Sequence, residues 1–426
     1  MTLSLHAGTV TALFCAFLLA SLSVGFWLTT RQIRHVAAHR DRVPEAFADR
    51  ITPEAHRKAA DYTIAKARFS LLVDGFGGVV LLGWTLLDGL DALNGLVRDA
   101  VQPRWGDLGY QLALFAGFSL IGGLLDLPLA WWRTFRLEQR FGFNRSSLGL
   151  WLADQAKGVL VGVLIGGPLL AAVLWVMGAS GGWWWLWAWC LWTGFALLMQ
   201  VVYPIWIAPL FNQFKPLDDT GLAERVQSLM QRCGFQSKGF FVMDGSRRSA
   251  HGNAYFGGLG KSKRVVFYDT LLARLNTDEI EAVLAHELGH FHHRHIQQRM
   301  FMLFGLSFVA LALLGWLAGQ TGFYVGLGVQ PNLAAANDGL ALLLFLLASP
   351  CFSFFIGPLM AVHSRGAEFQ ADAYACQQTS ARELSSALLK LYQDNASTLT
   401  PDPLYVRFHY SHPPASERLA AMKALA

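Results

Sequence analysis

The sequence predicts an all-α polytopic membrane protein of seven transmembrane helices that carries a small cytoplasmic α+β subdomain. Three observations predict it: seven apolar runs of spanning length, alternation of basic and weakly charged connections, and two longer polar segments. The chain has 426 residues, 54% of them hydrophobic and only 15% charged, whereas a soluble domain carries about 25% charged residues. Length alone would allow two or three soluble domains. The apolar excess, with fifteen Trp and thirty Phe, points to the bilayer.

Roughly 20 apolar residues cross the hydrocarbon core as a helix. Seven stretches qualify, at about 8–28, 70–90, 109–131, 157–177, 184–209, 301–320 and 339–362. The first is read as a retained span, because the first nine residues hold no Lys or Arg and so lack the n-region of a secretory signal. The fourth and fifth form a hairpin whose Trp183, Trp184 and Trp185 suit an interfacial aromatic belt.

The connections alternate in charge. Segment 29–68 carries nine Lys or Arg, and Arg133 to Lys157 is basic again, while 91–108 has only Arg98 and Arg104. Gly178 to Gly182 has no charge, and 321–338 has only Asp338. By the positive-inside rule the N-terminus lies outside, and the first, third and fifth connections and the C-terminus are cytoplasmic. The basic excess, net +5, is thereby assigned to loops; no nucleic-acid motif accompanies it, so the expected partner surface is lipid. Cys15, Cys190, Cys233, Cys351 and Cys376 are odd in number and form no CxxC, which argues against a disulfide framework or a cysteine metal site.

This reading divides the chain into four parts. Residues 1–211 hold spans one to five, 212–299 form a polar segment, 300–362 hold spans six and seven, and 363–426 form a C-terminal polar segment. Both polar segments fall on the cytoplasmic side and can meet. In 212–299, Thr220 to Cys233 has helical periodicity, and Gly239–Met243, Asn253–Phe256 and Arg264–Tyr268 look like strands. Asn276 followed by Asp278 and Glu279 opens a further helix.

That helix contains His286-Glu287-Leu288-Gly289-His290. An HExxH pattern sets two imidazoles one turn apart on one face, where both can bind one zinc ion, with the intervening Glu able to take a proton from an activated water. His286 and His290 are candidate ligands and Glu287 the candidate base. Small Gly289 is read as leaving room at the metal. A chance match on a polar helix is the competing reading. The longer HExxHxxGxxH form fails, because positions 293 and 296 hold His293 and Ile296. His292, His293 and His295 are then read as a solvated or interfacial turn, with His293 nearest the ligand face. A third ligand can come from Glu368, which shares a helical face with Asp372; an Asp bonded to a ligand His would complete the surroundings. The competing reading is an exposed acidic helix start. Asp74, Asp126 and Gln200 lie in or near spans, where polar groups usually face an interior.

HELGH, then Glu368 and Asp372 two spans later, then Ser411-His412-Pro413-Pro414, resembles the integral-membrane CAAX prenyl protease 1 type of metallopeptidase. The stretches Glu138-Gln-Arg-Phe-Gly-Phe-Asn144 and His251-Gly-Asn-Ala-Tyr-Phe256 carry the same resemblance. The polar segments would then be a metallopeptidase subdomain. The resemblance implies one Zn2+ per chain on His286, His290 and Glu368, with Glu287 activating water and Asp372 orienting a ligand His. It implies substrate pairing along Asn253-Ala254, oxyanion stabilisation by His412 supported by Arg418, and a water-filled chamber within the helices. From the residues alone, His412 reads more readily as a structural histidine, and Asn253 equally as a turn residue.

The expected activity is zinc-dependent endopeptidase cleavage of a peptide or protein substrate, with or without a prenyl group. Short loops suggest a bacterial inner membrane and rank membrane-associated peptides ahead of strict CAAX substrates. A heat-shock-type membrane quality-control protease is the rival enzyme, disfavoured by the seven spans. A transporter with a vestigial metal site is the rival of another class.

Overall fold

The structure, a computed structural model, describes residues 5–257 and 262–425. Five long helices come first: α1 (Ala7–Ala38), α2 (Pro53–Trp84), α3 (Gly89–Phe141), α4 (Leu148–Ala179) and α5 (Gly181–Phe211). After a polar stretch follow α8 (His295–Leu317) and the pair α9 (Asp338–Ser353) and α10 (Gly357–Gln378). Among the described residues six helices are long and apolar enough to span, and the α9–α10 pair, bent by 66°, makes a seventh. The span predicted over about 339–362 is therefore broken in two. Pro350 lies inside α9 and removes a backbone donor the ladder needs, while Pro358 sits in the first turn of α10, where proline is well tolerated.

The helices outrun the bilayer. A 32-residue helix such as α1 is about 48 Å long, against roughly 30 Å of hydrocarbon. The weakly charged connection 91–108, expected as a loop, instead continues α3 as helix, kinked at Gly106 with φ 66°. Tertiary contacts hold it there: Asn94 and Arg98 both donate to Asn332 Oδ1, at 3.0 Å each.

Each span packs on the next: α1 on α2, α2 on α3, α3 on α4, α4 on α5, α5 on α8, α8 on α9, and α9 returns to α1. Buried apolar side chains of this ring gather at one end, where Phe14, Trp84, Leu90, Tyr110, Leu174, Trp184, Leu314 and Leu340 share a cluster. Toward the middle, burial is sparse: 6–17% of the most apolar stretches of the single spans is enclosed by protein. Asp74, Asp126 and Gln200 are all exposed there.

At the other end of the ring sits a four-stranded sheet with its helices. The order is β1 (Phe214–Pro216), β2 (Gln236–Met243), β4 (Ser262–Tyr268), β3 (Ala254–Gly257). The β2–β4 pair is parallel and the other two pairs are antiparallel. Strand β1 escapes sequence reading because it is three residues long and includes Pro216, which can serve only at an edge. Helices α6 (Thr220–Arg232), α7 (Thr277–His292), α10, α11 (Ala381–Asp394) and, beyond the short α12 (Pro403–His409), α13 (Ala415–Leu425) share one apolar core with the sheet. It contains Val226, Leu229, Phe267, Leu284, Leu288, Ala375, Leu388 and Met422. Residues before α8 and after α9 thus fold together. Ion pairs tie this unit to the ring: Arg248 to Asp154 at 2.8 Å and Arg31 to Asp402 at 2.9 Å.

Candidate metal centre

Helix α7 begins with a capping box: Asn276 Oδ1 accepts from Glu279 N–H, and Glu279 accepts from Asn276 N–H. This closes two orphan donors of the first turn. Glu279 is itself buried and takes hydrogen bonds from Ser386 and Lys390, each at 2.7 Å. The helix is thereby fixed between the sheet and α10–α11. Its inward stripe, Ile280, Leu284, Ala285 and Leu288, is fully or almost fully buried.

Helix α10 crosses α7 at Gly289. A Cβ on Gly289 would lie 2.9 Å from Ala371 Cα and 3.1 Å from its carbonyl oxygen. The expectation that Gly289 leaves room at the metal is therefore corrected: it leaves room for the backbone of α10. The close crossing lays Glu368 against both histidines, with Oε2 3.6 Å from His286 Nε2 and Oε1 3.4 Å from His290 Nε2. The three ligand atoms lie within 4.8 Å of one another. Glu368 is 5% exposed and its Oε2 has no hydrogen-bond partner. A buried carboxylate oxygen left unsatisfied is costly, and a cation between the three side chains would satisfy it. The donor set of two imidazoles and one carboxylate, with a position open to the cleft, fits a catalytic zinc ion.

Asp372 lies one turn beyond Glu368 and is almost fully buried. His286 Nδ1 donates to its Oδ1 at 2.8 Å, which turns Nε2 toward Glu368. Arg418, on α13, closes the other side of Asp372 with bonds of 2.6 and 2.7 Å and reaches within 3.6 Å of Glu368. Burial alone would pull the Arg418 guanidinium down, but the Asp372 and Glu368 carboxylates hold it above its ordinary value. His290 is likewise raised above its ordinary value, its burial outweighed by the bond to Glu368.

His412 points Nε2 to within 3.3 Å of Glu368 Oε1, and its Nδ1 is 2.9 Å from Ser411 Oγ. Pro413 and Pro414 are buried behind it. Arg365 clamps the approach by donating to the carbonyls of Val406 and Tyr410 at 3.1 and 2.7 Å. Sequence reasoning assigned no role to Arg365 or Ser411, since their contacts are ones that no local spacing announces. It also misplaced one histidine. His292 is exposed and His293 partly so, but His295 is buried, with Nδ1 3.0 Å from His290 Nδ1.

The centre opens into a cleft of about 920 Å³ lined by His286, Glu287, His290, Glu368 and His412, with Gly252 to Tyr255 at its rim. Strand β3 is at the sheet edge, Ala254 standing opposite Phe267. Tyr268 N–H donates to the Asn253 carbonyl at 3.0 Å. Antiparallel residues alternate, so the next residue, Ala254, turns its N–H and C=O to the free edge. Asn253 Oδ1 accepts from that Ala254 N–H at 2.9 Å.

The stretch from Glu138 to Asn144 supports this edge. Tyr62 on α2 donates to Glu138 at 2.8 Å, and His251 Nε2 lies 3.8 Å from the same carboxylate. Phe143 stacks on the His251 ring at 4.4 Å, and Asn144 bridges Ser249. His251 Nδ1 also meets Asn395 Oδ1 at 3.0 Å. This ring-to-strand tether fixes the strand edge against the helices. Glu138→Ala is expected to raise KM about tenfold while kcat falls less, the pattern of lost uniform binding. Steady-state kinetics on one peptide would check this; a pure kcat loss would contradict it.

A ring of membrane helices with an HExxH-plus-Glu centre at one end defines a membrane-embedded metallopeptidase. Comparison with known proteins specifies the kind. Residues 32–213 match the model for the CAAX prenyl protease N-terminal region, described as five membrane helices, and residues 216–426 match peptidase family M48. The chain belongs to peptidase family M48 and its CAAX prenyl protease 1 group. It is 34% identical to CAAX prenyl protease 1 homolog from Arabidopsis thaliana, over 93% of each chain. It is 33% identical to CAAX prenyl protease 1 from Saccharomyces cerevisiae, over 95% of this chain and 93% of that protein. The crystal structure of S. mikatae Ste24p superposes with a TM-score of 0.90 at 32% identity, covering 97% of this chain and 99% of that one.

Proposed function

We propose that the chain holds one zinc ion on His286, His290 and Glu368 and hydrolyses peptide bonds in C-terminally lipidated or otherwise membrane-associated substrates. The carrying observation is the convergence of these three side chains around Glu368 Oε2, a buried oxygen that accepts no hydrogen bond, inside a cleft lined by the strand edge. When bound, the ion supplies the Lewis-acid charge that lets water attack a carbonyl at neutral pH.

The protein's own groups do the rest. Ala254 offers its N–H and C=O to the substrate backbone, which displaces the Asn253 side chain and adds a strand to β3. Glu287, in the same cleft, takes the proton of the attacking water and passes it to the leaving amine. Ser411 Oγ–H donates to His412 Nδ1, leaving the proton on Nε2 to stabilise the oxyanion. Asp372 and Arg418 hold His286 in register.

Charge supports a cytoplasmic site. The basic segments 29–68 and Arg133 to Lys157 lie at the ring end that carries the metal centre, and the weakly charged 91–108 and 321–338 lie at the other. The positive-inside rule then puts the N-terminus outside and the C-terminus in the cytoplasm. The bacterial inner membrane rests on the short connections alone, since the relatives named above are eukaryotic. We read the sparse middle of the ring as an open, wetted interior, which gives the exposed Asp74, Asp126 and Gln200 a polar surrounding.

The substrate class follows from the far wall of the cleft. Ile296, Met302, Pro350, Phe354 and Met360 carry an apolar surface from the metal centre toward the spans. Such a wall suits a lipid tail, and the relatives' printed names favour the same class. Mass spectrometry of one peptide with and without a C-terminal prenyl cysteine would test this. Chelator-sensitive cleavage faster on the lipidated form is expected; equal rates would restore the broader endopeptidase reading. A purified chain with no zinc and no cleavage after zinc is restored would favour the transporter reading.

A further inference from the structure

The surroundings of the two histidine ligands are unequal. His286 is backed by the buried Asp372 carboxylate. His290 is backed by a second imidazole: its Nδ1 lies 3.0 Å from His295 Nδ1, and His295 Nε2 lies 2.8 Å from Gln370 Oε1. The chain reaches this arrangement through Arg294, which adopts the left-handed conformation at φ 59° and ends α7, so that His295 opens α8 and folds back beneath His290. His295 is 8% exposed, and His293 stacks on it at 5.5 Å. Gln370 is on α10, two residues past Glu368, and is exposed.

We propose that His295 and Gln370 form a hydrogen-bonded relay that fixes the tautomer of His290 and so holds it as a metal ligand. The inference rests on the zinc reading above. The direction of the relay follows from proton counting. To bind a cation through Nε2, which faces Glu368, neutral His290 must carry its proton on Nδ1. That N–H donates to His295 Nδ1, which must then be bare, so the His295 proton sits on Nε2. This second N–H needs an acceptor, and Gln370 Oε1 is one. Reversing the relay would place a proton on His290 Nε2, against the cation. His295 and Gln370 are therefore positioning residues that act through His290. They do for it, with neutral groups, what Asp372 does for His286 with a charged one.

The test uses the full-length protein in detergent with zinc alone as the probe. Zinc affinity is read by competition against a chelating dye, and thermal unfolding of the metal-free protein is read in parallel. His295→Phe keeps the ring volume and removes the acceptor, and is expected to weaken zinc binding about 10–100-fold, the usual range for loss of a ligand's hydrogen-bond partner. Gln370→Leu should weaken it by about threefold or more, since water can partly replace the exposed amide. Gln370→Glu, which still accepts from His295, should bind as wild type. If His295→Phe does not fold, the two Gln370 variants decide at an exposed position. Wild-type affinity in both Gln370→Leu and a folded His295→Phe would overturn the relay alone. A wild-type chain that binds no zinc would overturn the zinc reading and the relay with it.

Discussion

Glu287→Gln is expected to retain zinc at wild-type affinity and to lose about 10²–10⁴-fold in kcat, the range carried by a positioned general base. Glu287 lies on the same turn as His286 but outside the three-residue ligand cluster. It lines the cleft and is partly exposed. The amide matches the carboxylate in shape, so the fold and the ligand geometry should persist while the proton acceptor is gone. KM should change little, because the proposed substrate contacts, the β3 edge and the apolar wall, are left intact. Metal analysis and single-turnover kinetics on one peptide would check both halves. Wild-type turnover would refute the assigned base, and zinc loss would mean that Glu287 is a ligand.

The ring and the centre differ in how far they could be read from residues. Six spans are plain because about 20 apolar residues have few other uses. The seventh is bent between α9, which holds Pro350, and α10, and hydropathy does not register bends. His286 and His290 are legible because a helix repeats every 3.6 residues, so i and i+4 must share a face. Glu368 and Asp372 are legible as a pair for the same reason, but their meeting with α7 is a tertiary event 82 residues from His286 along the chain. His295 was invisible for the opposite reason. A helical reading carried through 290–295 turns it away from His290, and only the left-handed Arg294 brings it back. The Glu138 to Asn144 stretch was recognisable by resemblance, yet its work, bracing His251 and the strand edge, lies entirely in contacts between distant segments.

Gly289→Ala carries the other large expected effect, and it tests how the ligand set is assembled. The added methyl meets the Cα and carbonyl oxygen of Ala371, backbone atoms that cannot swing aside as a side-chain tip can. Helices α7 and α10 must separate by several tenths of an ångström, and overpacking of that kind costs about 1–3 kcal/mol. Helix α10 carries both Glu368 and Asp372, so one displacement loosens the proposed third ligand and the partner of His286 together. Misplacement approaching 1 Å at a reacting centre can cost about 10²-fold in rate. Zinc affinity, kcat and unfolding temperature should all fall. Adding Ala371→Gly in the same chain removes the 3.3 Å contact with Ala371 Cβ and leaves the closer Cα and oxygen contacts, so it should rescue only in part. A Gly289→Ala protein with unchanged zinc affinity would show that the two helices can part without disturbing Glu368. The tight crossing would then be a packing feature with no share in building the metal centre.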